Sequence, residues 1–351
     1  MTHLGETPDD ATAVSAVAAD DRDPSAAWST PPHRPARASA APAVSIIIPA
    51  YNAAWSIGRT LASLQAQTLA EFECVIVDDG STDETASLVE GRIAGDPRFR
   101  LIRQENAGVA AARNRGLREV CGRYVANLDA DDMWGPQFLS RVVEGLERAG
   151  PGATLCFARS VWVGPDDTVL GEIPEPLGQA DYRDILIRNP IGNGSAALMR
   201  RDMVLACGGW DADLVQDYGP TDDWQLQLQL AALGAVVVVD EPLVFYRITP
   251  GSASWDLERS ARAVVEVIRR RQAASPRLPR TDYWTARSLA MLALLRRARQ
   301  SRQPRLMVWM AAQIYLCNPV WFGEPDLRRP IVTAPGKAAR LLCRLLPKPA
   351  A

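Results

Sequence analysis

Between residues 44 and 129, four short apolar runs alternate with three helix-length segments, and each run stops at a group of polar side chains. The runs are VSIIIPA (44–50), FECVIVD (72–78), RFRLIRQ (98–104) and RYVANLD (123–129). In the segments between them, 54–68, 82–95 and 108–121, apolar residues such as Ile57, Leu61 and Leu64 recur at three- and four-residue steps, the period of a helix. Strands alternating with helices predict a parallel, doubly wound sheet. Ligands of such sheets bind in the crevice beyond the carboxyl ends of the strands. PAYN (49–52), DDGSTD (78–83), ENAG (105–108) and DADD (129–132) all fall there, so four successive strand ends offer polar groups to one crevice.

The fourth of these ends is the most charged. YVANLDADDMW places Asp129, Asp131 and Asp132 within four positions after an apolar strand. Crowded carboxylates repel, and one is driven toward its neutral form unless a cation or hydrogen bonds compensate. A metal ion resolves the conflict. In DDGSTD, Ser81 or Thr82 is expected to cap the following helix, with Asp83 and Glu84 in its first turn. Asp78 and Asp79 lie before the glycine and are read as ligand contacts.

Histidine usage narrows the chemistry. The two histidines, His3 and His33, both lie in the first 42 residues, a stretch rich in Ala, Pro, Ser, Thr and Asp that is expected to be disordered. The folded part therefore has no imidazole for a zinc site or a Ser-His or Cys-His pair. A metal there is held by oxygen ligands, which points to Mg²⁺ or Mn²⁺. PAYNAA stands where a dinucleotide-binding GxGxxG would follow the first strand, and no GxxxxGK[ST] loop is present. The six cysteines are scattered without a CxxC pair, and no apolar run approaches a membrane span, which together predict a cytoplasmic protein. No nucleic-acid partner is expected.

The second half is less regular. Strand-like stretches at 153–163 and 194–200 flank an expected helix near 181–188, followed by CGGWDADL (207–214) and TDDWQLQLQLAALG (221–234). WQLQLQL fits a strand by period two and a helical face equally well. After VVVVD (236–240) and LVFYRITPGSAS (243–254) the chain turns helical and Arg-rich, so a domain 43–255 is expected, with an extension 256–351. That extension carries 19 Lys/Arg against 6 Asp/Glu, while residues 1–255 carry 20 against 35. Its segments 258–272, 281–300 and 304–317 and the late GKAARLLCRLL suit either a peripheral contact with an anionic membrane or packing on the domain or a second subunit.

As a set and in this order, PAYN, VDDGSTD, NAGVAAARNRG, LDADD, GGWDADL and DDWQLQL resemble the motifs of family 2 glycosyltransferases of GT-A fold. The resemblance covers about residues 43–255. It implies a GT-A-like doubly wound, mainly parallel sheet flanked by helices, and transfer of a sugar from a nucleotide-diphosphate donor, a UDP-sugar above all, to an acceptor hydroxyl with inversion. The acceptor class, whether glycan, glycolipid or small molecule, stays open. By position, Tyr51 and Asp79 would hold the base, Asp129 the ribose or a metal-bound water, and Asp131 the Mn²⁺ or Mg²⁺, while Asp223 would be the catalytic base. It also favours a helix at 224–230.

Other residues carry two readings. Asp222 and Asp223 open a helix and are either base or cap. Trp210 and Trp224 either stack on a sugar or belong to the core. Arg113 either pairs with donor phosphates or braces the 129–132 loop. Pro49, Asn52 and Asn106 sit at strand ends beside the donor, Asn106 with Gly108 also shaping a turn. Where the family has histidine in YRxHPxSxS this chain has Thr249, so Arg247, Thr249 or water would complete a metal shell. A sugar-nucleotide-binding protein without turnover is the alternative that Thr249 suggests.

Overall fold

In the computed structural model, which describes residues 42–172, 179–249, 256–274 and 278–317, the four apolar runs form neighbouring strands. They are β1 (Val44–Ala50), β2 (Phe72–Asp79), β3 (Phe99–Gln104) and β4 (Tyr124–Asn127), parallel in the order β3-β2-β1-β4. The crossover helices are α1 (Ile57–Gln65), α2 (Thr85–Ile93) and α3 (Val109–Glu119). Every residue of β1 is buried, because helices cover both faces of a parallel sheet. Pro49 is one of them, a core residue and not a crevice contact. It fits because β4 pairs with β1 only from Val44 to Ile47. Ile47 accepts from Leu128 N–H at 2.9 Å, and Pro49, two residues on, faces the same edge where pairing has ended. The missing N–H therefore costs no ladder bond.

Gly116 sets how closely α3 lies on β1, since a Cβ there would overlap Cγ2 of the buried Ile47. Gly116→Ala is expected to destabilise the fold by about 1–3 kcal/mol through overpacking. Urea unfolding checks this, as a lower midpoint at unchanged slope.

The chain continues through β5 (Met133–Trp134), α4 (Phe138–Ala149), β6 (Ala153–Val163), β7 (Val169–Glu172), α5 (Tyr182–Ile187), β8 (Ala197–Arg200), α6 (Arg201–Ala206), α7 (Ala212–Asp217), α8 (Asp222–Leu233) and β9 (Ala235–Arg247). β8 lies antiparallel between β4 and β6, β9 runs parallel to β6, and β5 and β7 pair antiparallel with β9 and β6. The sheet is thus parallel through its first four strands and mixed beyond. β5 clips the DADD loop onto the end of β9, which brings the loop beside Arg247.

WQLQLQL is helical, within α8. Trp224 to Leu228, Leu230 and Ala231 are all buried, so the helix is covered on every side and shows no one-sided stripe. VVVVD and LVFYR belong to one strand, β9, carried past Pro242 by an irregularity at which Ala158 and Arg159 face Val239 and Pro242. Such a bulge is where a strand tolerates proline. The cap expected at Ser81 or Thr82 is not formed, because α2 begins only at Thr85. Ser81 Oγ accepts from Asn52 N–H at 3.0 Å instead, and Asp83 Oδ1 accepts from Thr85 N–H at 3.0 Å.

Three helices follow: α9 (Leu257–Ala274), α10 (Arg280–Gln300) and α11 (Pro304–Cys317). Val267 and Ile268 of α9 and Tyr283 and Ala286 of α10 join the core of the sheet domain, while Leu257, Ala261, Met291, Leu295, Met310 and Ile314 form a second cluster. Asp282 takes both Arg183 Nε and Nη2 at 3.0 Å, and Arg270 Nη1 reaches Asp211 Oδ2 at 2.7 Å. Packing on the domain is thus what the first part of the extension does. No helix among the described residues is long and apolar enough to cross a membrane. The N-terminal tail through residue 41, most of TPGSAS and the GKAARLLCRLL segment lie outside the described residues.

Candidate active site

The site is built around a buried guanidinium. Asn127, a polar residue inside the apolar strand β4, accepts from Arg113 Nε at 3.0 Å and donates from Nδ2 to Asp129 Oδ1 at 2.9 Å. Arg113, on α3, also donates from Nη2 to Asp129 Oδ1 at 2.7 Å and from Nη1 to Asp222 Oδ2 at 2.8 Å. One side chain therefore ties α3, the end of β4 and the first residue of α8 together. Burial alone would lower its pKa, but the charges of Asp129, Asp222 and Asp223 more than offset this and raise it. Each guanidinium nitrogen is engaged within the protein, which is the bracing arrangement and not the phosphate-pairing one. Asp222, 2% exposed, is the counter-ion of Arg113 and is not placed to work as a base. Arg113→Met would leave that carboxylate buried and unpaired, so a loss of about 3–5 kcal/mol of stability is expected, read as a large fall in the unfolding midpoint.

The DADD loop is pinned at every position, and one side chain is left over. Ala130 O accepts from Ser56 Oγ and Thr60 Oγ1 of the α1 region, each at 2.9 Å. Asp131 O accepts from Arg247 Nε at 2.9 Å. Asp132 is fully buried, its Oδ2 accepting from Ser195 Oγ at 2.6 Å and its Oδ1 from Arg247 N–H at 2.8 Å. Burial, then the charges of Asp131 and Asp129, push its carboxyl well above the usual range. Asp132 is therefore an internal staple and not an outward ligand. What is left is the Asp131 carboxylate, which no other described residue hydrogen-bonds and whose pKa burial and then Asp129 raise to about 6. Hard, anionic oxygen beside a second carboxylate suits a divalent cation that completes its shell with water and phosphate oxygens. Asp131 and Asp129 fit that role as a pair. Among the described residues no group of three His, Cys, Asp or Glu is arranged to hold a metal, so the protein by itself offers no closed cage.

The other strand ends converge on the same edge. Asn52, at φ 48°, accepts from Thr82 N–H at 2.9 Å, so its side chain locks the PAYN and DDGSTD loops together. Asp79 is buried, accepting from Gln104 Nε2 at 2.7 Å, Ala107 N–H at 2.9 Å and Gly108 N–H at 2.8 Å, which fixes the ENAG loop. Asp78 accepts from Ser81 N–H at 3.0 Å and pairs with Arg103 Nε at 3.3 Å. Asn106 is exposed in that loop, and Tyr51 is 52% exposed beyond β1.

On the opposite side, Asp223 accepts from Trp224 N–H at 2.7 Å at the start of α8. Its carboxyl is pushed up to about 6 by burial and then by Asp222, with Arg113 working the other way. Trp224 is buried with Nε1 on Ile185 O at 2.9 Å, and Trp210 is 2% exposed with its backbone held by Asn114, so both indoles belong to the core and neither is a sugar platform. Arg247 is spent on Asp131 O, on Gly164 O at 2.6 Å and on Asp167, so it is not free to ligate or to meet a diphosphate. Thr249 Oγ1 is buried without a partner among the described residues.

Four contributors were not singled out from sequence. Ser195 links Asp132 to the Asp129 N–H, which donates to its Oγ at 3.1 Å. Gly194 packs between Arg113 and Asp223, where an added Cβ would sit 3.5 Å from Arg113 Nη2 and from Asp223 Cβ. Tyr246 has its phenol raised by burial and then by Asp132, Asp129, Asp223 and Asp131, so it stays protonated among all four acids. Asn127 alone had a visible signal, a polar side chain in an apolar strand.

A parallel half-sheet whose carboxyl edge gathers these acids around one buried arginine is a GT-A-like fold, similar to solved structures of that type. Residues 45–207 match the family model described as glycosyl transferase family 2. That match takes in a little under half of the chain. It is 27% identical over 301 residues to an uncharacterized glycosyltransferase of Nostoc, covering 80% of this chain and 90% of that protein. It is 41% identical over 153 residues to a putative teichuronic acid biosynthesis glycosyltransferase of Bacillus subtilis, covering 43% of this chain and 60% of the relative. Against the Escherichia coli chondroitin synthase the identity is 43% over 95 residues, only 14% of that protein. The chain thus spans less than two thirds of the last two relatives. In fold it is similar to residues 1–349 of S. aureus TarS in complex with UDP-GlcNAc, with a TM-score of 0.55 at 17% identity covering 86% of each chain. It is also similar to a Pyrobaculum calidifontis mannosyltransferase in complex with GDP-Man and Mn²⁺, with a TM-score of 0.53 at 20% identity covering 91% of each.

Proposed function

We propose that the protein transfers a sugar from a nucleoside-diphosphate donor, a UDP-sugar in the first instance, to an acceptor hydroxyl with inversion at the anomeric carbon. The observation that carries this reading is the Arg113 bridge, which brings the loop holding Asp131 and the helix start holding Asp223 to one guanidinium. Tyr51, exposed at the end of β1, offers a ring for the base. Asp129 and Asp131 would hold Mn²⁺ or Mg²⁺, which when bound supplies Lewis-acid stabilisation of the departing diphosphate. Asp223 takes the proton of the attacking hydroxyl. A carboxylate of pKa about 6 is ionised at neutral pH and more basic than an ordinary one, which suits that task. Glycans, glycolipids and hydroxylated small molecules all qualify as acceptors. The TarS complex with UDP-GlcNAc and the mannosyltransferase complex with GDP-Man and Mn²⁺ support a sugar-nucleotide donor by likeness of fold.

The test is release of UDP or GDP from a panel of sugar nucleotides with and without Mn²⁺, followed by the anomeric configuration of any product by NMR. Silence across the panel, or retention of configuration, refutes the reading. Nucleotide binding with no turnover would favour the second reading, a binding protein, for which Thr249 in place of the family's histidine speaks.

A further inference from the structure

We propose that Asp167, in the turn between β6 and β7, is a positioning residue that holds Arg247 off the Asp131 carboxylate and so leaves that carboxylate free for a cation. The inference rests on the reading that Asp131 takes a divalent ion. Arg247 is a buried cation whose three guanidinium nitrogens go to three different acceptors: Nε to Asp131 O at 2.9 Å, Nη1 to Gly164 O at 2.6 Å, and Nη2 to an oxygen of Asp167. Two of these are neutral carbonyls. A buried charge requires a counter-charge. Asp132 is filled by Ser195 and by the Arg247 N–H. Of the acids that meet Arg247, this leaves Asp167 and Asp131 to balance it, and Asp167 takes the hydrogen bond.

The turn is shaped for that task. Asp167 N–H donates to Gly164 O at 3.1 Å, Gly164 N–H donates to Thr168 O at 2.8 Å, and Asp166 Oδ1 accepts from Thr168 N–H at 3.2 Å. These bonds set Asp167 at φ 68°, a left-handed conformation that Asp and Asn tolerate better than other side chains. Its second partner is Arg59 Nη1 of α1, at 2.9 Å. Without the Asp167 charge, Nη2 of Arg247 keeps at most neutral partners, an amide oxygen in Asp167→Asn and the Met133 sulfur 3.9 Å away. Arg247 already stabilises the Asp131 charge from its place on the Asp131 carbonyl. A guanidinium released toward Asp131 would compete with a divalent ion for the same oxygens.

The experiment uses the full chain with saturating UDP and follows free Mn²⁺ by electron paramagnetic resonance. Asp167→Asn keeps the backbone preference, removes the charge and leaves no cavity at a side chain that is 42% exposed. The expected result is Mn²⁺ affinity weakened about tenfold, the scale at which partners of metal ligands act. Asp167→Glu should recover most of it. Arg59→Gln, which loosens the hairpin from α1 but leaves the Arg247 pair, should leave Mn²⁺ affinity unchanged. Wild-type affinity in a folded Asp167→Asn protein overturns the inference, as does an equal loss in Arg59→Gln, which would assign the effect to docking of the hairpin. A wild-type protein that binds no Mn²⁺ in the presence of UDP sinks the cation reading and this inference together. A cation-dependent wild type with an indifferent Asp167→Asn sinks the inference alone.

Discussion

Asp131→Ala is expected to lower turnover of the sugar-nucleotide donor about a thousandfold at saturating Mn²⁺ while leaving the unfolding midpoint unchanged or higher. A cation held at a departing diphosphate supplies several kcal/mol of charge stabilisation, and each 1.36 kcal/mol is a factor of about ten in rate. The stability half follows from the sign of the pKa shift. Burial and the neighbouring Asp129 raise the Asp131 carboxyl to about 6, so its ionised form is disfavoured in the folded chain. Ionisation therefore costs stability at neutral pH, and removing the group relieves that cost. The same shift sets a pH dependence: protons compete with Mn²⁺ at Asp131, and apparent Mn²⁺ affinity should fall as pH drops from 7 through about 6. Parallel measurement of turnover and of the thermal midpoint separates this from general damage. Loss of both in proportion would count against Asp131 as a ligand.

Asp223→Asn is the second large effect, a fall of about 10²–10⁴-fold in kcat, the range for removing a general base. The amide keeps the size of the side chain and removes its basicity, so donor KM should change little. In the wild type the carboxylate, with its pKa near 6, must be unprotonated to accept the hydroxyl proton. The rate should then hold above about pH 7 and fall about tenfold per pH unit well below 6. A pH–rate profile at saturating Mn²⁺, where the Asp131 proton no longer limits, reads it directly. An Asn variant that retains wild-type kcat would move the base elsewhere.

How much of this was legible in the sequence depends on the range of the interaction involved. The strands β1 to β4 and their helices were readable because burial on both faces leaves apolar runs, and crossover helices leave a 3.6-residue period. The gathering of PAYN, DDGSTD, ENAG and DADD at one edge followed from the topological rule alone. Less could be said of each side chain there. Asp79, Asn52 and Asp132 resemble ligand contacts in a linear string, yet each is consumed in holding a loop. Asp222 and Asp223 are adjacent and chemically identical, and only their partners tell them apart: one meets Arg113 at 2.8 Å, the other accepts a main-chain N–H at the head of α8. WQLQLQL carried no decisive period because a helix buried on every side has no polar face to mark it.

The order of β1 to β4 and their helices, the absence of histidine beyond residue 33 and the strand edge that the acids share follow from residue types and spacing. Those properties depend on local periodicity and on which functional groups exist at all. Which carboxylate stays unspent was settled only in three dimensions. Arg113 and Arg247 each meet acids or carbonyls more than 80 residues away in the chain, at Asp222 and at Gly164. Hydrogen bonds act over about 3 Å of space whatever the separation along the chain, so the division between bracing acids and available ones is written in packing and not in pattern.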